Sequence, residues 1–104
     1  MTDSSPVPVC QLSELPIGLG RAFRIAGKTI AIFRTRAGQL FATDNTCPHK
    51  SGPLSEGLLS GDAVVCPLHQ FRFNMTTGTC DQDNVCQVTT YQVTMIDSTV
   101  HVQL

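Results

Sequence analysis

The sequence predicts an all-β domain, a sandwich or barrel of short antiparallel strands. Three observations carry that expectation. Apolar residues come in short runs, several of them alternating with polar ones in the period of two that a half-buried strand requires. Eight glycines and six prolines punctuate the 104 residues between those runs. No stretch keeps the sustained 3.6-residue periodicity of an amphipathic helix. A chain of 104 residues with 41% apolar side chains leaves room for one domain, residues 1–104, around one modest core.

Taken in order, strands are expected over residues 7–11, 21–25, 29–34 and 40–43 in the first half, and over 63–66, 71–74, 87–94 and 99–104 in the second. Cys10 continues the run that opens with Val7 and is expected to pack as a small apolar side chain. The one helical candidate is a single turn at Ser13-Glu14-Leu15, which Pro16 stops. Ala26-Gly27, Ala37-Gly38 and Thr77-Gly78 read as tight turns, and Asp97-Ser98 closes the last hairpin. In the final strand Val100, Val102 and Leu104 share one face, while His101 and Gln103 share the other, so His101 is expected to be solvated. Cys80 and Cys86 bracket residues 81–85, which read as a hairpin loop. The interval from Asn45 to Gly61 breaks the strand rhythm, and a connection that long in a compact domain is usually functional.

Composition excludes several classes of function. The net charge is −1 and only 14% of residues are charged. The basic surface that phosphate binding requires is missing, so nucleic acid is not an expected partner. No apolar run approaches the ~20 residues that span a bilayer, and residues 1–6 lack the basic-then-apolar profile of a secretion signal. The expected location is the cytoplasm, with no membrane partner. Charge is uneven: residues 1–52 hold six basic and three acidic side chains, residues 53–104 one basic and five acidic. Arg21, Arg24, Lys28, Arg34 and Arg36 fall on the second and third strands. They read as a solvated hairpin face, with a docking patch for a redox partner as the alternative. The chain has no phosphate loop and no dinucleotide fingerprint, and Glu56 and Asp62 form no paired-carboxylate site.

The chemistry sits in the cysteines and histidines. Five cysteines, an odd number, exclude a fully paired disulfide framework within one chain. In a reducing compartment, cysteines grouped with histidines point to a metal site or to catalysis. Two motifs do this: Cys47-Pro48-His49 and Cys66-Pro67-Leu68-His69, a C-x-H and a C-x-x-H separated by sixteen residues. Together they offer two thiolates and two imidazoles. Chance pairing is disfavoured by the repetition, each cysteine being followed by a proline. Structural zinc accepts two Cys and two His, but its paired ligands usually stand two to four residues apart, whereas one residue separates Cys47 from His49. A two-iron cluster in which two histidines replace two cysteines on one iron takes the set as it stands.

With both motifs filled, the chain resembles the Rieske iron–sulfur family, and the likeness runs over most of its length. The resemblance implies an antiparallel β base with a small cluster-binding subdomain at about residues 44–74, and one [2Fe–2S] cluster per chain. It implies Cys47 and Cys66 as ligands of the inner iron, and His49 and His69 as ligands of the outer, solvent-facing iron. Two ferric ions, two sulfides and two thiolates sum to zero charge, where four thiolates would give −2, so the potential lies above that of plant-type ferredoxins. Each ligating imidazole keeps one N–H, and the potential is expected to fall once those groups titrate. Respiratory and photosynthetic members carry two further cysteines that bridge the loops; Gly52 and Leu68 stand at those places. Their hydroxyl-bearing Ser and Tyr are matched here by Phe71 and Phe73. Fewer donors to the cluster imply a low-potential, ferredoxin-like member.

Two kinds of relative fit a small cluster-bearing chain without catalysis of its own. The preferred reading is the small subunit of the assimilatory NAD(P)H-dependent nitrite reductase, an oxidoreductase that makes ammonium from nitrite in nitrate assimilation. The stretch from Asn45 to Gly57, the stretch from Gly61 to His69 with Phe71-Arg72-Phe73, and Cys86 with Val88, Thr90, Tyr91 and Val93 are similar to that subunit. The implied partner is a large subunit with flavin, iron–sulfur and sirohaem cofactors, or another redox partner. The alternative is the ferredoxin component of an aromatic-ring dioxygenase, in which glycines more often follow the second histidine; here Gln70-Phe71 stands there. A third reading, of another class, is a cluster-bearing but redox-silent scaffold subunit. If the domain relays electrons, the resemblance makes the edges of His49 and His69 their exit.

Overall fold

The computed structural model describes residues 6–46, 53–67, 72–80 and 87–103. Among them nine strands form, in the order β1 (Val7–Gln11), β2 (Leu19–Ile25), β3 (Lys28–Arg34), β4 (Leu40–Asp44), β5 (Leu58–Ser60), β6 (Ala63–Val65), β7 (Arg72–Asn74), β8 (Thr90–Ile96) and β9 (Thr99–Gln103). Single 3-10 turns at Leu12–Glu14 and Leu54–Glu56 interrupt them. The strands make a six-stranded sheet in the order β1-β9-β8-β4-β3-β2 and a three-stranded sheet in the order β5-β6-β7. Every pairing is antiparallel, so the all-β expectation holds.

Turn chemistry sets the registers. Ala26 and Gly27 both have positive φ, 50° and 82°, the mirror-image turn whose twist matches a two-residue hairpin. It brings Ile25 opposite Lys28 and Leu19 opposite Arg34. Asp97 and Ser98 do the same at 50° and 67°, which sets Ile96 opposite Thr99.

Strand β3 organises the interior. Ile30 and Ile32 point into one apolar cluster, with Cys10, Leu15, Ile25, Ala42, Val100 and Val102. Ala31 and Phe33 point into another, with Leu54, Val64, Cys66, Phe73, Met75, Cys80 and Val88. Neighbouring residues of one strand thus serve two cores, where the sequence suggested one. This explains the unbroken apolar run at residues 30–33: a strand buried on both faces cannot alternate.

Other departures from the sequence reading have local causes. Strand β8 starts at Thr90 rather than at residue 87, because Gln87 and Val88 are drawn to the end of the small sheet. Gln87 bridges to Thr79, and the Val88 N–H donates to the Gly78 carbonyl at 2.9 Å. Strand β5 falls inside the interval from Asn45 to Gly61 that the sequence leaves without strands. Arg36 lies beyond the end of β3. Two of the five basic side chains have structural duties: Arg21 donates to the Glu14 carbonyl at 2.9 Å, and Arg34 donates to the carbonyls of Leu12 and Leu15 at 3.3 and 3.0 Å. Both hold the first 3-10 turn against the sheet. Cys10 is buried as expected. His101 is half-buried rather than freely solvated, its Nδ1 lying 3.1 Å from the Thr99 carbonyl oxygen.

Candidate metal centre

The two motifs grow from two loop roots. The first root follows β4. The Asn45 N–H donates to the Thr29 carbonyl at 3.1 Å, which keeps the chain on the sheet for one residue more. Thr46 then pairs with Pro53 in an isolated antiparallel bridge. The bridge sets side by side the two residues that flank the interval holding Cys47 and His49. The second root is the β6–β7 hairpin, in which Val65 pairs with Arg72. Cys66 follows β6 directly, and His69 lies between it and β7 in the sequence.

The two roots touch. Leu54, just past the first, and Cys66, at the second, are fully buried in the same apolar cluster. Gly57 makes the approach possible. A Cβ there would collide with the Val65 carbonyl oxygen and stand 3.0 Å from Val64 Cγ2. Its backbone, φ −76° and ψ 170°, suits any residue, so glycine is needed here for space and not for conformation.

Among the four expected ligands, the structure describes Cys66. It follows β6 directly, is fully buried, and belongs to no disulfide. It lines a cleft of about 480 Å³ with Glu56, Gly57, Leu58, Val65 and Pro67. Cys47, His49 and His69 lie outside the described residues, as do Gly52, Leu68, Phe71 and Cys86. Phe73 is buried in the cluster that holds Cys66 and offers no hydroxyl there. A thiolate in so apolar a setting needs a cation to offset its desolvation. Iron meets that need, and two thiolates with two imidazoles are the donor set of a Rieske centre. The residues present therefore fit the group.

A second polar contact braces the first root. Strands β4 and β8 pair over only Ala42 with Tyr91 and Thr43 with Thr90. The Tyr91 hydroxyl extends this seam by donating to Asp44 Oδ1 at 2.6 Å. Burial, then the hydrogen bond to the Asp44 carboxylate and its charge, push the Tyr91 hydroxyl up to about 12. Lys28 Nζ lies 5.9 Å from the centre of the Tyr91 ring. Asn45 and Gly57 belong to neither ligand motif, and nothing in the sequence singles them out as site residues. Asn45 carries one signal, a short amide just past a strand, a type that bonds nearby backbone; the partner of its side chain, Ser55, sits ten residues away and is invisible locally. No helix among the described residues is long and apolar enough to cross a membrane.

The family profile of the Rieske-like [2Fe-2S] domain matches residues 6–103. The ferredoxin component of the naphthalene 1,2-dioxygenase/salicylate 5-hydroxylase systems of a Ralstonia species is 40% identical over 67 residues, 64% of this chain and 64% of that protein. The chain thus spans less than two thirds of that relative. Among solved structures, the ferredoxin of carbazole 1,9a-dioxygenase from Nocardioides aromaticivorans IC177 superposes with a TM-score of 0.86 at 29% identity, over 96% of this chain and 98% of that one. A protein described as the small subunit of an NADPH nitrite reductase superposes with a TM-score of 0.86 at 27% identity, over 96% of this chain and 99% of that one.

Proposed function

The chain belongs to the Rieske-like [2Fe-2S] domain family, and from that premise we propose that it is the ferredoxin of an aromatic-ring oxygenase system, passing single electrons to a terminal oxygenase. Its cofactor is a [2Fe–2S] cluster. When bound, that cluster takes up and gives back one electron. In this reading Cys47 and Cys66 supply the thiolates to one iron, and His49 and His69 supply imidazoles to the other, each keeping one ring N–H. Residues 1–104 form a single domain, in which about residues 44–74 make the cluster-binding part. The buried setting of Cys66 keeps water from one side of the site, and the Asn45 and Gly57 contacts hold the loop roots together. The chain catalyses nothing alone.

The observation that carries the choice of partner is the 40% identity to a dioxygenase ferredoxin. Ferredoxins recur among the similar proteins, at 39–40% identity over about two thirds of this chain, and the ferredoxin–oxygenase complex of a carbazole 1,9a-dioxygenase is matched at 32%. The nitrite reductase small subunit is the second reading, favoured by an equally good superposition. The two make opposite predictions. Under the proposal, a terminal oxygenase is encoded beside this chain and reoxidises its dithionite-reduced form on the turnover timescale. A neighbouring sirohaem-containing large subunit, with reoxidation of the reduced chain by nitrite through it, overturns the proposal in favour of the second reading. His69→Ala should abolish or badly weaken cluster binding, and Cys10→Ser should leave it intact. Anaerobic material that is colourless, iron-free and silent in electron paramagnetic resonance after dithionite defeats both readings.

A further inference from the structure

The turn at Leu54–Glu56 receives the chain as it returns from the first ligand loop, and its N-terminal end lacks a cap of its own. The residue before it is Pro53, which provides no side-chain hydrogen bond. A helical turn begins with N–H groups that have no partner within the turn. Here both are taken by one residue on the other side of the loop. The Leu54 N–H donates to the Asn45 carbonyl at 2.7 Å, and the Ser55 N–H donates to Asn45 Oδ1 at 2.9 Å. The Asn45 N–H meanwhile donates to Thr29 in β3. One residue thus ties the central strand, the departing leg of the loop and the returning leg together. The same turn is confined on two further sides. A Cβ on Gly20 would stand 2.9 Å from the Ser55 carbonyl oxygen, and one on Gly57 would strike the Val65 carbonyl that precedes Cys66.

We propose that Asn45 is a positioning residue for the cluster: its side-chain carbonyl caps the turn across the loop and so pins the two ends of the Cys47-His49 segment to each other, on the turn whose Gly57 packs against Val65 at the root of the Cys66-His69 segment. This rests on the ligand assignment above. The backbone bond to Leu54 would survive any substitution, but a single bond allows the returning leg to pivot about it. The second bond, through Oδ1, removes that pivot. Only a side chain with an acceptor two bonds beyond Cβ reaches the Ser55 N–H. Asparagine and aspartate have one, whereas leucine has the same size and none.

The test uses the cluster-loaded full chain in four forms: wild type, Asn45→Leu, Asn45→Asp, and Val102→Ala as a control in the other core. Two quantities are read, the rate of cluster loss to an iron chelator and the g-values of the dithionite-reduced protein. Supporting groups around metal ligands typically change affinity by ~10–100-fold. Asn45→Leu should therefore lose its cluster ~10–100-fold faster, with shifted or broadened g-values. Asn45→Asp should stay near wild type in both. Val102→Ala should unfold at a lower temperature yet keep wild-type g-values. Where Asn45→Leu does not accumulate, Asn45→Ala removes the same acceptor and is read in its place. Wild-type behaviour of the acceptor-free variant overturns the proposal, as does Asn45→Asp behaving like leucine, or Val102→Ala reproducing the spectral change. His69→Ala and Cys47→Ser, measured alongside, separate the two levels: retention of a normal cluster by these defeats the ligand assignment itself, whereas its loss there with a silent Asn45→Leu defeats only the positioning role.

Discussion

Gly20 offers a sharp test of the contact between the β base and the ligand-bearing part. A Cβ added there would lie 2.5 Å from both Cδ1 and Cε1 of Phe33 and 2.9 Å from the Ser55 carbonyl oxygen. Carbon atoms pack at about 3.5–4.0 Å, so the Phe33 ring would have to retreat by about 1 Å. It has nowhere to go, because Phe33 is fully buried among Leu54, Val64 and Phe73. Overpacking of this kind costs about 1–3 kcal/mol. In a domain of this size each kcal/mol lowers the melting temperature by about 4–8 °C, so Gly20→Ala should lower it by roughly 4–24 °C. Phe33→Leu, which shortens the side chain, should cost less than the ~3–5 kcal/mol of a Phe→Ala change. In that background the added methyl enters space the ring has left. The double variant should therefore be more stable than the sum of the single losses implies, by about 0.5–3 kcal/mol. Part of the penalty remains, since the Ser55 carbonyl is backbone and stays in place. The assay is urea unfolding of the four proteins, each loaded with cluster and handled anaerobically. Additivity within about 0.5 kcal/mol would show that the ring and the glycine are not in contact and would refute the reasoning.

Three further outcomes are expected. The Tyr91 hydroxyl is held protonated to about 12 in the folded chain but titrates near 10 when unfolded, so its contribution is whole below pH ~10 and is lost as the pH rises towards 12; urea titrations across that window should show a decline that Tyr91→Phe lacks, and an equal decline in the variant would exclude this cause. Burial chiefly, with the Glu14 carboxylate adding and Arg21 opposing, raises the Cys10 thiol above its ordinary range, so iodoacetamide at neutral pH should label Cys10 far more slowly in the folded chain than in urea, and equal rates would contradict the burial. Ala26 occupies left-handed backbone at φ 50°, a region that costs a side-chain-bearing residue about 1–2 kcal/mol and that asparagine tolerates best; Ala26→Asn should raise the melting temperature by a few degrees, and a fall would mean that the alanine methyl is needed for packing.

The legible parts of this protein were those encoded over a few adjacent residues. Two-residue turns such as Ala26-Gly27 and Asp97-Ser98 fix hairpins locally, and β1 spans the residues its alternation predicts, Val7–Gln11. The pairing of a C-x-H with a C-x-x-H motif was likewise a local pattern that pointed to a family. What could not be read was set by distant partners. Strand β5 exists because Leu58, Leu59 and Ser60 find β6 beside them, and nothing within those three residues announces it. The delayed start of β8 depends on Gly78, whose missing side chain admits the Val88 carbonyl. Phe33 and Ile32 look alike in a sequence yet serve different cores. The capping of one loop leg by Asn45 reaches across ten residues to Ser55, beyond any window in which periodicity or turn chemistry acts.

The division into two cores has a mechanical consequence for the ligand loops. Three strands of three residues each are too short to stand alone. They bury Val64 and Phe73 only because Ala31 and Phe33 of β3 provide the opposite wall. The other face of β3, through Ile30 and Ile32, is locked into the base. The root at Cys66 is therefore backed chiefly by β3, whereas the first root is also braced through β8 by the Tyr91–Asp44 hydrogen bond. Substitutions that move β3 or its neighbours Gly20 and Leu54 should disturb the ligand loops, whereas those confined to β1, β8 and β9 should reduce stability without changing the geometry at Cys66. An electron carrier gains from that arrangement, because a site held on a stiff wall changes shape little when its charge changes.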